Sequence, residues 1–308
     1  MKPTAKVENV DFIVPIEYHA DDYGMFPTQS LRILDCHKHG NLNGVSVMPN
    51  SAYLEECMEL LRPHQKEIAV TVHLNLIEGH SLSAPEEVPL LTDETGIFRA
   101  SFGNLLIRSF LPGRRAYREQ LKKEIRAQIH AVKRFLAPDS SLRIDGHAHY
   151  HMLPVVFDAL MDVIREEELP VSYIRIPREY PSLYLRNWRK LRDFAAINLV
   201  KTAVLNVLAS YNLQKYREET ASLSQTVFLG VFLSGRMHGE NAAAVLPDAA
   251  RLAEKLHCGI ELLAHPGGVY EEADIGELTN SDDVAFLTSD FRRKEATMFD
   301  AKEGMKCN

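Results

Sequence analysis

Basic residues are not in excess in this sequence: 35 Lys and Arg stand against 42 Asp and Glu, a formal net charge of −7. A chain that binds nucleic acid through phosphate attraction is normally basic, so no nucleic-acid partner is expected. No apolar run reaches the roughly 20 residues that a membrane-spanning helix needs. The longest, from Phe194 to Leu208, is interrupted by Asn198, Lys201 and Asn206. Before Glu17 the apolar stretch is only about five residues, too short for the core of a secretory signal. The four cysteines, at positions 36, 57, 258 and 307, form no C-x-x-C pair. A chain of 308 residues can build its core without disulfide staples, so reduced thiols in a cytoplasmic protein are expected. Neither G-x-G-x-x-G nor G-x-x-x-x-G-K-[ST] occurs, which removes the usual dinucleotide and P-loop signatures. There is no internal repeat, low-complexity tract or clear linker. With 45% hydrophobic and 25% charged residues, the composition is that of a globular protein.

Histidine, by contrast, is abundant, with 13 residues, and its placement carries the argument. Residues 11–18 (DFIVPIEY) read as a strand that runs into His19-Ala-Asp-Asp-Tyr-Gly24. A helix is expected at 27–39, a strand at 45–49, and a helix at 53–61 with Ser51 as its N-cap. In the strand at 68–76, Val70, Val72, Leu74 and Leu76 share one face and Thr71, His73 and Asn75 the other. Residues 78–113 are rich in Pro, Gly and Ser and read as a rim excursion or lid. A helix at 117–136 precedes a strand at 142–145 and then Gly146-His-Ala-His-Tyr-His151. Pro154 opens a helix over 155–167. A strand at 172–177 carries Arg175, residues 180–225 read as mainly helical, and a strand is expected at 227–233. A helix at 242–256, a strand within 259–268 that delivers His265, and a closing helix at 281–299 complete the chain. Alternating strands and helices predict an α/β fold, a single TIM-like (β/α) barrel, closed or incompletely closed, spanning residues 1–308 with rim insertions at 78–113 and 178–225.

Asp21 and Asp22, His73 and Asn75, Asp145, His147 and His149, Arg175 and His265 all fall at or near the C-terminal ends of expected strands. In a barrel those ends meet at one mouth. Alone, Asp21-Asp22, His73 and His265 have ordinary explanations as a solvated turn, a core histidine and a capped turn, whereas His147-x-His149-x-His151 after a strand points to metal binding by itself. Five strands that each end in a group costly to desolvate are better explained by a shared site. Carboxylates with imidazoles are ligand chemistry for one divalent metal ion, such as Mg²⁺ or Zn²⁺, with coordination positions left for water and substrate. If 147–151 were extended, all three histidines would share a face; in a helix only His147 and His151 would. Asp145 is placed to orient an imidazole.

These residues, in this order, resemble the YdjC/ChbG family of carbohydrate deacetylases. The likeness lies in Ala-Asp-Asp-Tyr-Gly (20–24), Val-His-Leu-Asn-Leu before Glu-Gly (72–79), Ile-Asp-Gly-His-Ala-His-Tyr-His-Met-Leu-Pro (144–154), Ile-Arg-Ile-Pro (174–177) and Glu-Leu-Leu-Ala-His-Pro-Gly (261–267). Ser289, Arg292 and Glu295 resemble the family's closing helix. The resemblance implies a TIM-like barrel and metal-dependent removal of an N-acetyl group from an acetylated amino sugar, typically a chitin-derived oligosaccharide. By the same resemblance, Asp22, His73 and His147 would hold the metal, Asp21 would be the general base and His265 the general acid. Arg175 is expected to keep Asp21 ionised, and Asp145, His149 and Asn75 to support the site or touch substrate. His19 and Tyr23 depart from the family's usual Asn and Phe, which bears on substrate more than on reaction. A homodimer through the apolar helices between 183 and 213 is expected. The rival readings are a metal-dependent phosphoesterase, which predicts two ions per chain, and a catalytically silent sugar-binding protein.

Overall fold

The protein is described here by a computed structural model covering residues 13–278 and 281–300. Its strands are β1 (Ile16–Tyr23), β2 (Gly44–Val47), β3 (Ala69–Leu74), β4 (Leu142–Gly146), β5 (Val171–Ile174), β6 (Thr226–Leu229) and β7 (Gly259–Ala264). They form one sheet in the order β5-β4-β3-β2-β1-β7-β6, and every neighbouring pair is parallel. Parallel neighbours require crossovers, and here these contain helices. The connections carry α1 (Pro27–Lys38), α2 (Leu54–Leu61), α3 (Phe102–Arg108), α4 (Arg114–Lys133), α5 (Pro154–Glu166), α6 (Pro181–Asn187), α7 (Ala196–Lys215), α8 (Arg217–Thr220) and α9 (Gly239–Leu256). After β7 come α10 (Glu272–Glu277), α11 (Ser281–Leu287) and α12 (Asp290–Ala296).

Period-two alternation sorts the strand residues. Ala20, Val45, Val47, Val72, Ile144 and Leu262 are buried in the main core with the helices. Glu17, His19, Asp21, Ser46, His73, Asp145, Arg175 and Glu261 point the other way and bond to one another. Those bonds prove the curl. β5 and β7 stand five steps apart in strand order, roughly 24 Å in a flat sheet. Yet Arg175 Nε, just past β5, lies 2.7 Å from Glu261 Oε1 on β7, and Tyr173 on β5 hydrogen-bonds the same carboxylate. The sheet is therefore rolled into a half-barrel with a polar lumen. Its edges, β5 and β6, share no ladder among the described residues, although Ser224 N donates to Ser172 O at 2.9 Å near their leading ends.

Several expectations are corrected. The first strand begins at Ile16; residues 11 and 12, like Cys307, lie outside the described residues. The strand expected at 227–233 stops at Leu229 because the next three N–H groups, of Gly230, Val231 and Phe232, turn onto the buried Glu179 carboxylate at 2.6, 2.9 and 2.8 Å. Such a nest of N–H groups holds an anion well. The closing helix is two helices, broken where Thr288 and Ser289 hydroxyls bond back to the carbonyls of Val284 and Phe286. Ser51 does not cap α2: its Oγ accepts from Tyr53 N at 3.0 Å, ahead of the helix start at Leu54. The 78–113 excursion contains α3, and Glu124 on α4 pins it by accepting from Leu82 N and Ser83 N. No helix among the described residues is long and apolar enough to cross a membrane.

Candidate active site

β1 delivers two consecutive carboxylates, which strict alternation would send to opposite faces. The β1–β2 register slips between Ala20 and Tyr23, and Asp22 adopts φ +67, a left-handed conformation that non-glycine residues seldom hold. Gln29 Nε2 secures that turn by donating to Asp22 O at 2.9 Å. Both carboxylates consequently reach the same ring: His73 Nε2 on β3 lies 4.0 Å from Asp21 Oδ2 and 3.6 Å from Asp22 Oδ1.

The other ring nitrogen, His73 Nδ1, bonds Asp145 Oδ1 at 2.7 Å, which fixes the ring and aims Nε2 into the site. Nε2 is buried with no hydrogen-bond partner. From the turn after β4, His147 Nδ1 comes within 3.0 Å of Asp22 Oδ1, and its ring meets His73 edge-on at 5.4 Å. Asp22, His73 and His147 can each offer one ligand atom within 4.8 Å of the others. An orphaned imidazole nitrogen, a carboxylate and a second imidazole fit a divalent cation.

The field at the site says the same. Burial alone would depress His73, but Asp145 and Asp21 outweigh it and pull the ring up to about 9. His147 is likewise raised well above its ordinary value: desolvation opposes this, and Glu78 and Asp22 overcome it. Negative charge is thus concentrated where the three ligand atoms converge, which favours a cation there. Asp22 stays well below the usual carboxylate range, since Arg292 and His147 more than offset burial. Asp21 is lowered too, with burial outweighed by Arg175 and then His73.

Arg175 is wholly buried. Its Nη1 donates to Asp21 Oδ1 and Oδ2 at 2.9 and 3.0 Å and pairs with Asp145, while Nε holds Glu261. Asp145 also accepts from Ser46 Oγ, whose oxygen meets His19 Nε2 at 2.7 Å. His265 follows β7, and Glu295 Oε2 holds both its backbone N, at 2.8 Å, and its Nδ1, at 3.2 Å. Arg292, one helical turn before Glu295 on α12, donates to Asp22 Oδ2 at 2.8 Å. The His265 ring and the Arg292 guanidinium both pack on Phe286, at 5.7 and 4.5 Å.

The remaining positions fall differently from the sequence reading. Residues 147–152 are neither a strand nor a regular helix: Ala148 and His149 hold φ +46 and +60 within a 3₁₀ turn. His147 alone of the three histidines enters the ligand cluster. His151 Nε2 meets Arg175 O at 2.8 Å, and His149 lies edge-on to Phe228 with a buried, unpartnered Nδ1. Burial and the Arg175 charge hold His149 well below its ordinary value. Gly146 is required before this turn, because a Cβ there would stand 2.8 Å from His151 Nδ1. Asn75 does not enter the ligand cluster. Its Oδ1 accepts from Ile77 N and Glu78 N, both at 3.1 Å, and its Nδ2 donates to Glu78 O, shaping the turn that presents Glu78. Glu78 Oε1 then contacts His147 Nε2 at 2.8 Å. Glu78, Arg292, Glu295, Glu261 and Ser46 are the site members to which sequence reasoning gave no role. The only signals were a Glu-Gly after a strand, an i,i+3 Arg–Glu pair and a carboxylate within an apolar strand. A separate cavity of about 890 Å³ opens at the opposite end of the strands, lined by Glu17, Arg143, Tyr173 and Thr226 among others, away from this chemistry.

Residues 16–303 match a family model described as YdjC-like protein. A carbohydrate deacetylase of Mus musculus is 27% identical over 253 residues, covering 80% of this chain and 76% of that protein. A chitooligosaccharide deacetylase of Proteus mirabilis is 24% identical over 237 residues, covering 75% and 79%. A carbohydrate deacetylase of Thermoanaerobacter pseudethanolicus is 28% identical over 161 residues, so the match spans 52% of this chain and only 61% of that relative. A crystal structure from Enterococcus faecalis V583, of a protein designated for cellobiose-phosphate cleavage, aligns with TM-score 0.58 at 20% identity over 94% of this chain and 97% of its own. That likeness speaks to the fold.

Proposed function

This chain belongs to the YdjC-like family, and from that premise we propose that it is a metal-dependent hydrolase that removes the N-acetyl group from an acetylated amino sugar or short oligosaccharide. The observation that carries the reading is the meeting of Asp22, His73 and His147 beside a second carboxylate, Asp21, that takes no part in the ligand set and is held by Arg175. One carboxylate and two imidazoles suit Zn²⁺ or a similar transition ion better than Mg²⁺, which prefers oxygen throughout. A divalent ion held there supplies a more acidic water and polarises the acyl oxygen.

The chain's own groups do the rest. Asp21, kept ionised by Arg175, accepts at Oδ2 the proton of the water that attacks the acetyl carbon. Asp145 holds His73 in one ring orientation, and Arg292 does the same for Asp22. His265, whose Nδ1 is engaged by Glu295, gives a proton from Nε2 to the departing sugar nitrogen. The products are acetate and a free amine. The names of the relatives support an amino-sugar substrate. The test is acetate release from N-acetylglucosamine and short chitooligosaccharides by zinc-loaded protein: release on at least one member supports the reading, and none on any, with zinc bound, overturns it.

A further inference from the structure

A second group of ligand-type residues lies outside the lumen, where α1 ends against the turn before β3. His37 stands in the last turn of α1, His64 in the 3₁₀ turn Arg62–His64, and Glu67 three residues further on. Their ligand atoms also lie within 4.8 Å of one another. The spacing is built in. The backbone N–H groups of Glu67 and Ile68 both donate to His64 O at 2.9 Å, so His64 and Glu67 project from one closed turn, as i,i+3 residues do on a helix.

The first ligand is already oriented. His37 Nδ1 lies 2.8 Å from Leu42 O, a carbonyl that can only accept, so Nδ1 carries the proton. In the neutral ring Nε2 is then a lone pair, and it faces Glu67 Oε2 at 3.1 Å. At that separation the two atoms are joined either by a proton on the ring or by a divalent ion beside them, with each atom about 2 Å from the ion. A backbone carbonyl fixing the far ring nitrogen is the usual support of a metal-binding histidine. The His64 ring closes the third side, edge-on to His37 at 5.1 Å. His37 is only 14% exposed while Glu67 is 71% exposed, so solvent can complete a coordination shell from one direction. Cys36, next in sequence, is not a competing ligand: its Sγ turns to Arg32 O, and burial pushes the thiol up to about 12.

We propose that His37, His64 and Glu67 form a second divalent-metal site, selective for zinc-like ions over Mg²⁺, that ties the end of α1 to the approach of β3. It is independent of the proposed catalysis, because none of the three residues touches the lumen groups. The test is Zn²⁺ binding to the full chain, measured by calorimetry and by equilibrium dialysis with Mg²⁺ in excess. The wild type should bind two ions and His64→Gln one, with acetate release by His64→Gln unchanged. Glu67→Gln should retain the second ion more weakly, by on the order of 10-fold or more, since it loses a direct ligand where even supporting contacts are worth 10- to 100-fold. Zinc above the catalytic requirement should raise the melting temperature of the wild type but not of His64→Gln. One ion bound by both wild type and His64→Gln, or equal second-ion affinity in all three proteins, would show that a proton on His37 satisfies the contact and would overturn the proposal.

Discussion

Arg292 Nη2 donates to Asp22 Oδ2 at 2.8 Å, and both side chains are buried although 270 positions separate them. α12 therefore does more than close the fold: it neutralises the carboxylate that the strained end of β1 pushes into the site. Breaking a buried pair by removing one partner costs about 3–5 kcal/mol. Arg292→Met should lose stability of that order in metal-free protein, measured by denaturant unfolding. Added Zn²⁺ should restore part of the loss, because a dication at Asp22 takes over the missing charge. Equal losses with and without zinc would separate Arg292 from the metal cluster.

Metal uptake should release protons. With His73 raised to about 9, the ring is protonated in metal-free protein at pH 7 and must lose its proton to serve as a ligand. Zinc affinity at the lumen site should therefore rise with pH through neutrality to at least about 9, because His147, also raised, must give up its proton as well. Calorimetry of His64→Gln, in buffers of different ionisation enthalpy, counts the protons released at pH 7. No release would show that the His73 and His147 rings are both neutral before metal arrives.

Glu17, at the other end of the lumen, predicts an acid limb of stability. Burial alone would raise its pKa, but the hydrogen bond and charge of His19, with Arg143 behind them, outweigh it and lower it from 4.5 to about 2. A carboxylate depressed in the folded state stabilises it above the unfolded pKa, and that contribution fades as pH falls from about 4.5 to about 2. The melting-temperature difference between wild type and Glu17→Gln should be full at pH 6 and shrink across that interval. A gap independent of pH would mean that Glu17 acts through packing alone.

The alternation of strands with helices was legible because each strand carries an unbroken apolar face, as in Val70, Val72 and Leu74. The positions of Asp21, Asp22, His73, Asp145 and His147 at one mouth were legible because polar groups recur where such strands end. What period-two reasoning could not supply is the φ of Asp22, which brings two adjacent carboxylates to one ring, or those of Ala148 and His149, which separate three evenly spaced histidines. Glu78 and Arg292 stood within the resembling segments, but their contacts could not be read there: their partners, His147 and Asp22, lie 69 and 270 positions away, and no local pattern encodes such a meeting. The early end of β6 was not legible either, because the Glu179 carboxylate that takes the next N–H groups lies 51 positions from Gly230.

The exposed face of α7 predicts an association of two chains. Ile197, Val200, Val207 and Tyr211 are exposed along one side of the helix, while Val204 between them packs against the core. Light scattering should give twice the chain mass of 34.8 kDa, and Val207→Glu should give the chain mass. A wild type that scatters as one chain would remove the dimer.

The most direct measurement compares acetate release from the best N-acetylated sugar by zinc-loaded wild type and Asp21→Asn, with zinc content determined on the same samples. Asn keeps the shape of Asp21 but cannot take a proton, so the rate should fall by about 10²- to 10⁴-fold while zinc at Asp22, His73 and His147 is retained. Equal rates at equal zinc content would contradict a carboxylate base at position 21.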